Sequence, residues 1–448
     1  MFGFKFLGNT PVPHRKNTAA MPAVRLPVHK EVLLHVAQHI GAPAKVVVKV
    51  GDEVKVGTLI AEAGGAVSAP VHSSVSGKVT KIEKLMCYNG QQVDAVRIES
   101  DGLMTADESI TPPDIHDLDS LIEAVRASGA VGLGGAGFPT AVKLAAAKNG
   151  NIKTVVINGA ECEPYITSDT RTMLDDTDSV VYGVKLLLDN MPTVEQIIFG
   201  IESNKRECIN KLSEAFKDNA KVKVKALPAL YPQGSEKVIV HNTTGIAVPT
   251  GKLPAECGVI VLNVSTLAFI ARYAKTGMPL VERTLTVDGS AIAEPKNVTV
   301  PVGTPISYVI EAAGGIKDGK SLGKVLYGGP MMGVCVCTVD DPVLKTTNAI
   351  TALDVKDSNP PAETACIHCG RCVAACPHSL NPTEFARALN VEIKEDRMAK
   401  LQATQVLSCM ECGCCSFVCP AHRPLIQNNR IAKAELKDYL AHQATLKN

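Results

Sequence analysis

The sequence predicts a multidomain chain mixing α/β with β architecture, and three observations predict it. Its 448 residues exceed the roughly 250–300 at which a single core stops growing, so three or four domains are expected. Gly 35, Pro 27 and plentiful Val suit loop-rich β and α/β folds. Eight cysteines near the C-terminus form two copies of one pattern: Cys366, Cys369, Cys372, Cys376-Pro377, then Cys409, Cys412, Cys415, Cys419-Pro420, at a constant offset of 43 residues.

Composition excludes several functions. A net charge of +1, from 46 basic and 45 acidic residues, gives no long-range field for nucleic acid or an anionic membrane. Trp is absent and aromatics are 4%, which disfavours base-stacking platforms. No uncharged apolar stretch reaches the roughly 18 residues of a span; the richest, Val259 to Ile270, is interrupted by Asn263, Ser265 and Thr266. The opening Met1-Phe2-Gly3-Phe4 breaks at Lys5, too short for an export signal, so a reducing cytoplasm is expected.

The N-terminal region, 1–112, holds short strands over about 40–100. "VVVKVGDEVKVGTLIAEAGG" alternates valines with polar residues and turns at Gly51-Asp52 and Gly57, and "VSAPVHSSVSGKVTKI" does so around Gly77. Pro112-Pro113 reads as a linker. In 113–277, Leu118, Leu121, Ile122 and Val125 have helical spacing. "VGLGGAGFPTAVKLAAAK" then places Gly132, Gly134, Gly135 and Gly137 before a helix opening at Pro139 and ending near Asn149-Gly150. The strands "TVVIN" (Thr154 to Asn158), "QIIFGI" and "VIVLN" alternate with helical segments, which predicts a mainly parallel α/β domain. Residues 278–345 turn β again ("ERTLTVDGSA", "NVTVPVGTP", "GKVLYGGPMMG"), with glycine turns at Gly314-Gly315 and Gly328-Gly329, a small α+β unit. Ser358-Asn359-Pro360-Pro361 leads into a cysteine domain over 357–432. Its central "TEFARALNVEIKEDRMAKLQATQVLS" lacks Gly and Pro and reads as helical. Residues 433–448 form a tail.

C-x2-C-x2-C-x3-C-P is the run in which three thiolates hold one [4Fe–4S] cluster and the fourth ligates the other. Two clusters with crossed ligation are expected: Cys366, Cys369, Cys372 and Cys419 on one, Cys409, Cys412, Cys415 and Cys376 on the other. Zinc sites usually show paired C-x2-C, and disulfides need an oxidising compartment. Cys414 is out of phase and reads as a spare thiol. Most of Cys87, Cys162, Cys208, Cys257, Cys335 and Cys337 read as buried small hydrophobes. Such clusters carry single electrons.

The glycine loop offers bare N–H groups and a helix N-terminus to a phosphate, with Lys143 adding a point charge. Tight packing at glycine is the competing reading. G-x-G-G-x-G after a helix is not the Rossmann fingerprint. Hydride carriers deliver two electrons and a cluster accepts one, so a flavin on this loop, with a nicotinamide nucleotide over it, gives a coherent path.

"GLGGAGFPTAVKL", "NGAECEP" and "LNVSTLAFIA" resemble the FMN- and NADH-binding flavoprotein subunit of respiratory complex I. Residues 40–100 look like the barrel-sandwich hybrid of biotinyl and lipoyl carriers, but the apex Ser68-Ala69-Pro70-Val71-His72 lacks their modified lysine. His72 and His29 read as ordinary surface or hydrogen-bonded histidines. The order of barrel-sandwich segment, flavoprotein-like domain, "LYGGPMMG" β-grasp (SLBB-like) unit and helical two-cluster ferredoxin domain resembles the C-subunit family of the Rnf complex. The resemblance implies an oxidoreductase subunit of a membrane-bound, ion-translocating ferredoxin:NAD⁺ oxidoreductase. It would sit peripherally at the cytoplasmic face of a bacterial cell membrane, with other subunits and a ferredoxin-like carrier as partners. It also implies non-covalent FMN and NAD(H) as substrate. Gly132, Gly134 and Gly135 would line the flavin beside Lys143. Asn158 and Glu161 would contact its isoalloxazine or ribityl part, and Asn263 and Thr266 its phosphate end. Phe138, Glu163 and Glu236 would face the nicotinamide nucleotide, and the family's tyrosine near the flavin maps to Tyr231; the competing reading is structural, with Glu161 and Glu163 capping a loop and Phe138 in the core. Complex I has an arginine at Leu133 and an adenine-packing aromatic at Ala146. A cobalamin reductase of diol-degrading microcompartments shares the loop, β-grasp unit and clusters, but there the loop comes near the start of the chain. A flavin-free electron wire would show a decayed loop, and this loop is intact.

Overall fold

The computed structural model describes residues 10–87 and 90–445; the apolar opening Met1-Phe2-Gly3-Phe4 lies outside them. Among these residues the strands form four sheets. In the N-terminal region β1 (Glu31–His35), β2 (Gly77–Met86) and β3 (Gln92–Ser100) belong to a four-stranded sheet. A three-stranded sheet joins them around a core that includes Val32, Leu34, Ile60, Val79 and Ile98. This is the expected sandwich, but its apex is not a free tip. Ser68, Ala69 and Val71 are buried, and Ala69 N donates to His39 Nε2 at 3.1 Å. Lys345, from far along the chain, donates to Pro70 O at 2.6 Å and Gly129 O at 2.9 Å. Of the two histidines, His29 bonds Glu31 O at 2.8 Å. His72 is packed against the apex instead of lying on the surface, and burial pushes its pKa down to about 3.

Lys345 has a thermodynamic consequence. Burial without a carboxylate partner lowers its pKa from 10.5 to about 7. The facing histidines, His72 and His39, are also lowered by burial, so they stay neutral through the window that matters. Above about pH 7 the unfolded chain holds a proton on this lysine that the folded chain has shed. Stability should therefore rise with pH from about 7 towards 10.5, by on the order of 1 kcal/mol per unit. We expect the urea midpoint to climb between pH 7 and 9, and K345M to flatten that climb.

The α/β domain starts with α1 (Leu118–Ala127), opened by a capping box from Asp117 to Ser120. After the glycine loop comes α2 (Thr140–Ala145), which tightens into a 3₁₀ turn closed by Gly150. Then β4 (Thr154–Gly159), α3 (Ser168–Asp175), β5 (Gln196–Glu202), β6 (Val222–Leu227), α4 (Glu236–Thr244), β7 (Val259–Asn263) and α5 (Val264–Thr276) follow. The strands are parallel in the order β6-β5-β4-β7. Both faces are covered, so the strands read as near-continuous apolar runs. Val155 and Ile157 enter the core with α1 and α5, while Val156 faces Ile239 and Val240 of α4.

The next unit is a six-stranded sheet containing β8 (Glu282–Asp288), β9 (Lys296–Pro301), β10 (Leu322–Tyr327) and β11 (Ala349–Asp354). β11 is paired on both sides, to β8 and β10, and lies beyond the span 278–345 read from sequence. Val24–Arg25 adds an edge strand beside β9. In the cysteine domain the inter-run segment breaks into helices Pro382–Leu389 and Lys394–Ala403. The tail is no separate piece: α6 (Leu425–Thr445) runs through it, burying Ala432 and Leu436 against Phe385 and Leu401.

Candidate cofactor sites

The chain steps outward from β4 to β5 and β6, then crosses to β7 on the other side of β4. Parallel sheets bind ligands outside the strand carboxyl ends at such a switch point. Asn158 and Asn263 are paired neighbours there, closing β4 and β7. Gly132 N bonds Phe138 O at 2.9 Å, tying the base of the glycine loop, and Leu133 N bonds Thr266 Oγ1 at 2.9 Å, pinning the loop over α5. Asn263 Oδ1 accepts from Ser265 N and Thr266 N, while its Nδ2 donates to Asp169 Oδ2 at 2.7 Å. Lys143 Nζ donates to Glu236 Oε1 at 2.6 Å and Val261 O at 3.0 Å. Asn158 Nδ2 donates to Gly234 O at 2.8 Å. Phe138 is half-buried. The structure thus gathers Gly132, Gly134, Gly135, Phe138, Lys143, Asn158, Glu236, Asn263 and Thr266 at one sheet edge.

Two expected contacts are turned inward. Glu161 accepts from Asp169 N and Thr170 Oγ1, both at 2.7 Å, and pairs with buried Lys205 at 3.1 Å, so its carboxylate caps α3. Lys16 donates to the carbonyls of Glu161, Glu163 and Ile166, fixing this loop from behind. Glu163 accepts from Met331 N at 3.0 Å and Met332 N at 2.7 Å, and burial pushes its carboxyl pKa up to about 7. It ties the α/β domain to the Gly328–Gly333 turn of the β unit.

The loop fits a bound phosphate. Gly134, Gly135 and Ala136 are exposed, and a Cβ on Gly135 would meet no atom within 4 Å. A Cβ on Gly134 would lie 2.5 Å from Asn263 Nδ2, which α5 and Asp169 hold in place. G134A is therefore expected to displace Asn263 and weaken flavin retention by about tenfold or more, a cost of at least ~1.4 kcal/mol. Gel filtration followed by flavin fluorescence checks it.

The cysteines line two cavities. Cys376, Cys409, Cys412 and Cys415 surround one, and Cys366, Cys369, Cys372 and Cys419 the other, three from one run and one from the other in each case. The repeat is conformational as well. His368 and Glu411 (φ 55° and 59°), Gly370 and Gly413 (71° and 79°), and Ser379 and His422 (54° and 51°) are left-handed at matching positions. Such turns aim backbone N–H groups into a concavity, which suits anionic sulfur. Leu380 N and Asn429 Nδ2 donate to Cys376 Sγ (3.3 Å) and Cys409 Sγ (3.5 Å) of the first cavity. Cys414 is not a loose thiol: it is buried and lines that cavity too. Among the single cysteines, Cys87 and Cys208 are buried, whereas Cys335 and Cys337 are exposed.

The cavities differ in setting. Tyr231, buried, donates its hydroxyl to Cys412 O at 2.8 Å, and Ser235 Oγ approaches Met410 Sδ at 3.7 Å. The first cavity therefore abuts the α/β domain. Beside the second, Cys369 is exposed and Ile367 is 67% exposed. Cys372, Cys415 and Leu425 share one apolar cluster between the two.

Four family models match in this order: an RnfC barrel sandwich hybrid domain at 4–103, a Nuo51 FMN-binding domain at 125–272, an SLBB domain at 284–334 and a 4Fe-4S dicluster domain at 363–423. The C subunit of the Na⁺-translocating ferredoxin:NAD⁺ oxidoreductase complex of Acetobacterium woodii is 42% identical, over 96% of this chain and 97% of its own. The chain belongs to the RnfC family. A proton-translocating counterpart from Clostridium ljungdahlii is 40% identical over 87% of this chain and 86% of its own. The C subunit of the ion-translocating oxidoreductase complex of Pseudomonas aeruginosa is 38% identical over 95% of this chain and 54% of its own. A solved NAD⁺-reducing NiFe hydrogenase (TM-score 0.51, 17% identity, 74% of this chain and 67% of that one) shares the fold. As a member of the RnfC family, the chain is an oxidoreductase subunit with FMN and [4Fe–4S] cofactors, and the cobalamin-reductase reading falls away. No described helix is long and apolar enough to cross a membrane.

Sequence reasoning missed Asp169, Arg283, Lys345 and Asn429. Arg283 had a signal: it shares a strand face with Leu285 and Val287.

Proposed function

We propose that this subunit is the site where NAD(H) exchanges electrons with an ion-translocating ferredoxin:NAD⁺ oxidoreductase. FMN, when bound, takes electrons from a hydride donor in pairs and releases them singly. The glycine loop, Lys143, Asn158, Asn263 and Thr266 hold FMN at the β4–β7 crevice, with Glu161 bracing the start of α3 behind it. Phe138 and Glu236 face the nicotinamide nucleotide. Glu163, engaged by two backbone N–H groups, serves the domain joint instead. Cys376, Cys409, Cys412 and Cys415 hold the near cluster; Cys366, Cys369, Cys372 and Cys419 hold the far one, next to a ferredoxin-like partner. The observation that supports this order is the Tyr231–Cys412 contact, which joins the first cavity to the flavin domain. Ion movement and attachment to the cytoplasmic face of the membrane belong to the other components of the complex. Anaerobic titration with NADH should bleach a flavin band in protein carrying about eight irons from two four-iron clusters. Iron-loaded protein without NADH-dependent bleaching would rule the reading out.

A further inference from the structure

Arg283 belongs to β8 of the SLBB unit, but its guanidinium lies beneath the glycine loop of the FMN domain. It donates to Leu133 O at 3.0 Å and Thr347 O at 3.1 Å, and it is 4% exposed. Both of these partners are carbonyls, and among the described residues it enters no ion pair. Asp169 is the acid whose charge it feels, opposed by the charge of Arg272, but no ion pair joins the two, and the Asp169 oxygens accept from Asn263 and Ser265 instead. A cation withdrawn from water without a bound counter-ion is costly. Its desolvation is strong enough to pull even a guanidinium pKa down to about 10. The next residues of the loop after its partner Leu133, Gly134 and Gly135, are exposed, and the space beside Gly135 is open.

We propose that Arg283 is a positioning residue that holds the glycine loop in shape through Leu133 and supplies the buried counter-charge for the phosphate of FMN. Lys143, half-buried and already paired with Glu236, is the weaker source of charge for that group. The proposal rests on FMN occupying this loop. It explains why the SLBB sheet is welded to the flavin domain here, with Thr347 and Leu133 bridged by one side chain.

The test compares FMN with riboflavin, which lacks the phosphate, on flavin-depleted, iron-loaded full-length chain under anoxic conditions. Wild type should prefer FMN. R283Q should weaken FMN about tenfold more than it weakens riboflavin, as loss of one low-dielectric charge implies, while R283K should recover most of that difference. Equal weakening of both flavins would reduce Arg283 to packing and overturn the proposal. So would a wild type that binds both flavins equally, although FMN occupancy would then still stand. A wild type that binds neither flavin removes the FMN reading itself. If R283Q does not fold, wild type alone decides. The FMN-over-riboflavin preference should survive a rise from about 0.05 to about 0.5 M salt because a buried charge is poorly screened; a roughly tenfold collapse would assign the phosphate to exposed charge.

Discussion

Replacing Cys412 with alanine is expected to cut iron from about eight to about four atoms per chain and to stop electrons at the flavin. Cys412 is 8% exposed, lines the first cavity and carries the carbonyl that receives the Tyr231 hydroxyl. With one thiolate of four gone, that cavity has no nearby substitute in register. Cys414 points from the neighbouring turn, but it already packs with Val12 and Tyr231. C369A should give the complementary phenotype. Its cavity is the exposed one, so NADH should still reduce flavin and near cluster while delivery to an external acceptor fails. Stopped-flow reduction together with low-temperature paramagnetic resonance separates the two. If C369A, and not C412A, blocked reduction of the remaining cluster, the order of cofactors would be reversed.

The second large effect is expected at Glu163. Removing its carboxylate in E163A strips Met331 N and Met332 N of their acceptor and opens the seat of Gly329, where a Cβ would come within 2.3 Å of Glu163 Oε2. Unpairing one part-buried and one exposed donor costs on the order of 1–2 kcal/mol. The same turn places Met331 O against Gly413, where a Cβ would lie 2.9 Å away, so the loss should spread to the near cluster. E163Q keeps one acceptor oxygen but faces the other N–H with its own NH₂, and should be intermediate. Flavin-to-cluster transfer should slow in the order wild type, E163Q, E163A, with hydride transfer from NADH little changed. Equal slowing of both steps would return Glu163 to the nicotinamide.

Much of this was legible in the sequence because it is local. The duplicated cysteine spacing dictated the crossed cavities, since a four-residue turn between ligands leaves little conformational choice. The capping box at Asp117 and the glycine closing α2 at Gly150 were likewise written in neighbouring residues. What escaped was long-range. Glu161 and Glu163 sit in a motif that suggests ligand contact, but their partners are Lys205 and the N–H groups of Met331 and Met332, chosen by packing. Lys345 sits in an undistinguished loop and becomes the peg of the sandwich apex only when three domains meet. The strand β11 falls between the spans read as the β unit and the cysteine domain, and its pairing partners lie back along the chain, so no local pattern assigns it to its sheet.

The contact of Met331 with Gly413 bears on how the holoprotein is put together. The turn that carries Met331 packs from another domain against Gly413, which lines the near cavity, so the wall behind Cys376, Cys409, Cys412 and Cys415 leans on a second unit of the fold. The far cavity instead presents Cys369 at the surface. A change in the Met331 turn would therefore be felt at the near cluster and not at the outer one.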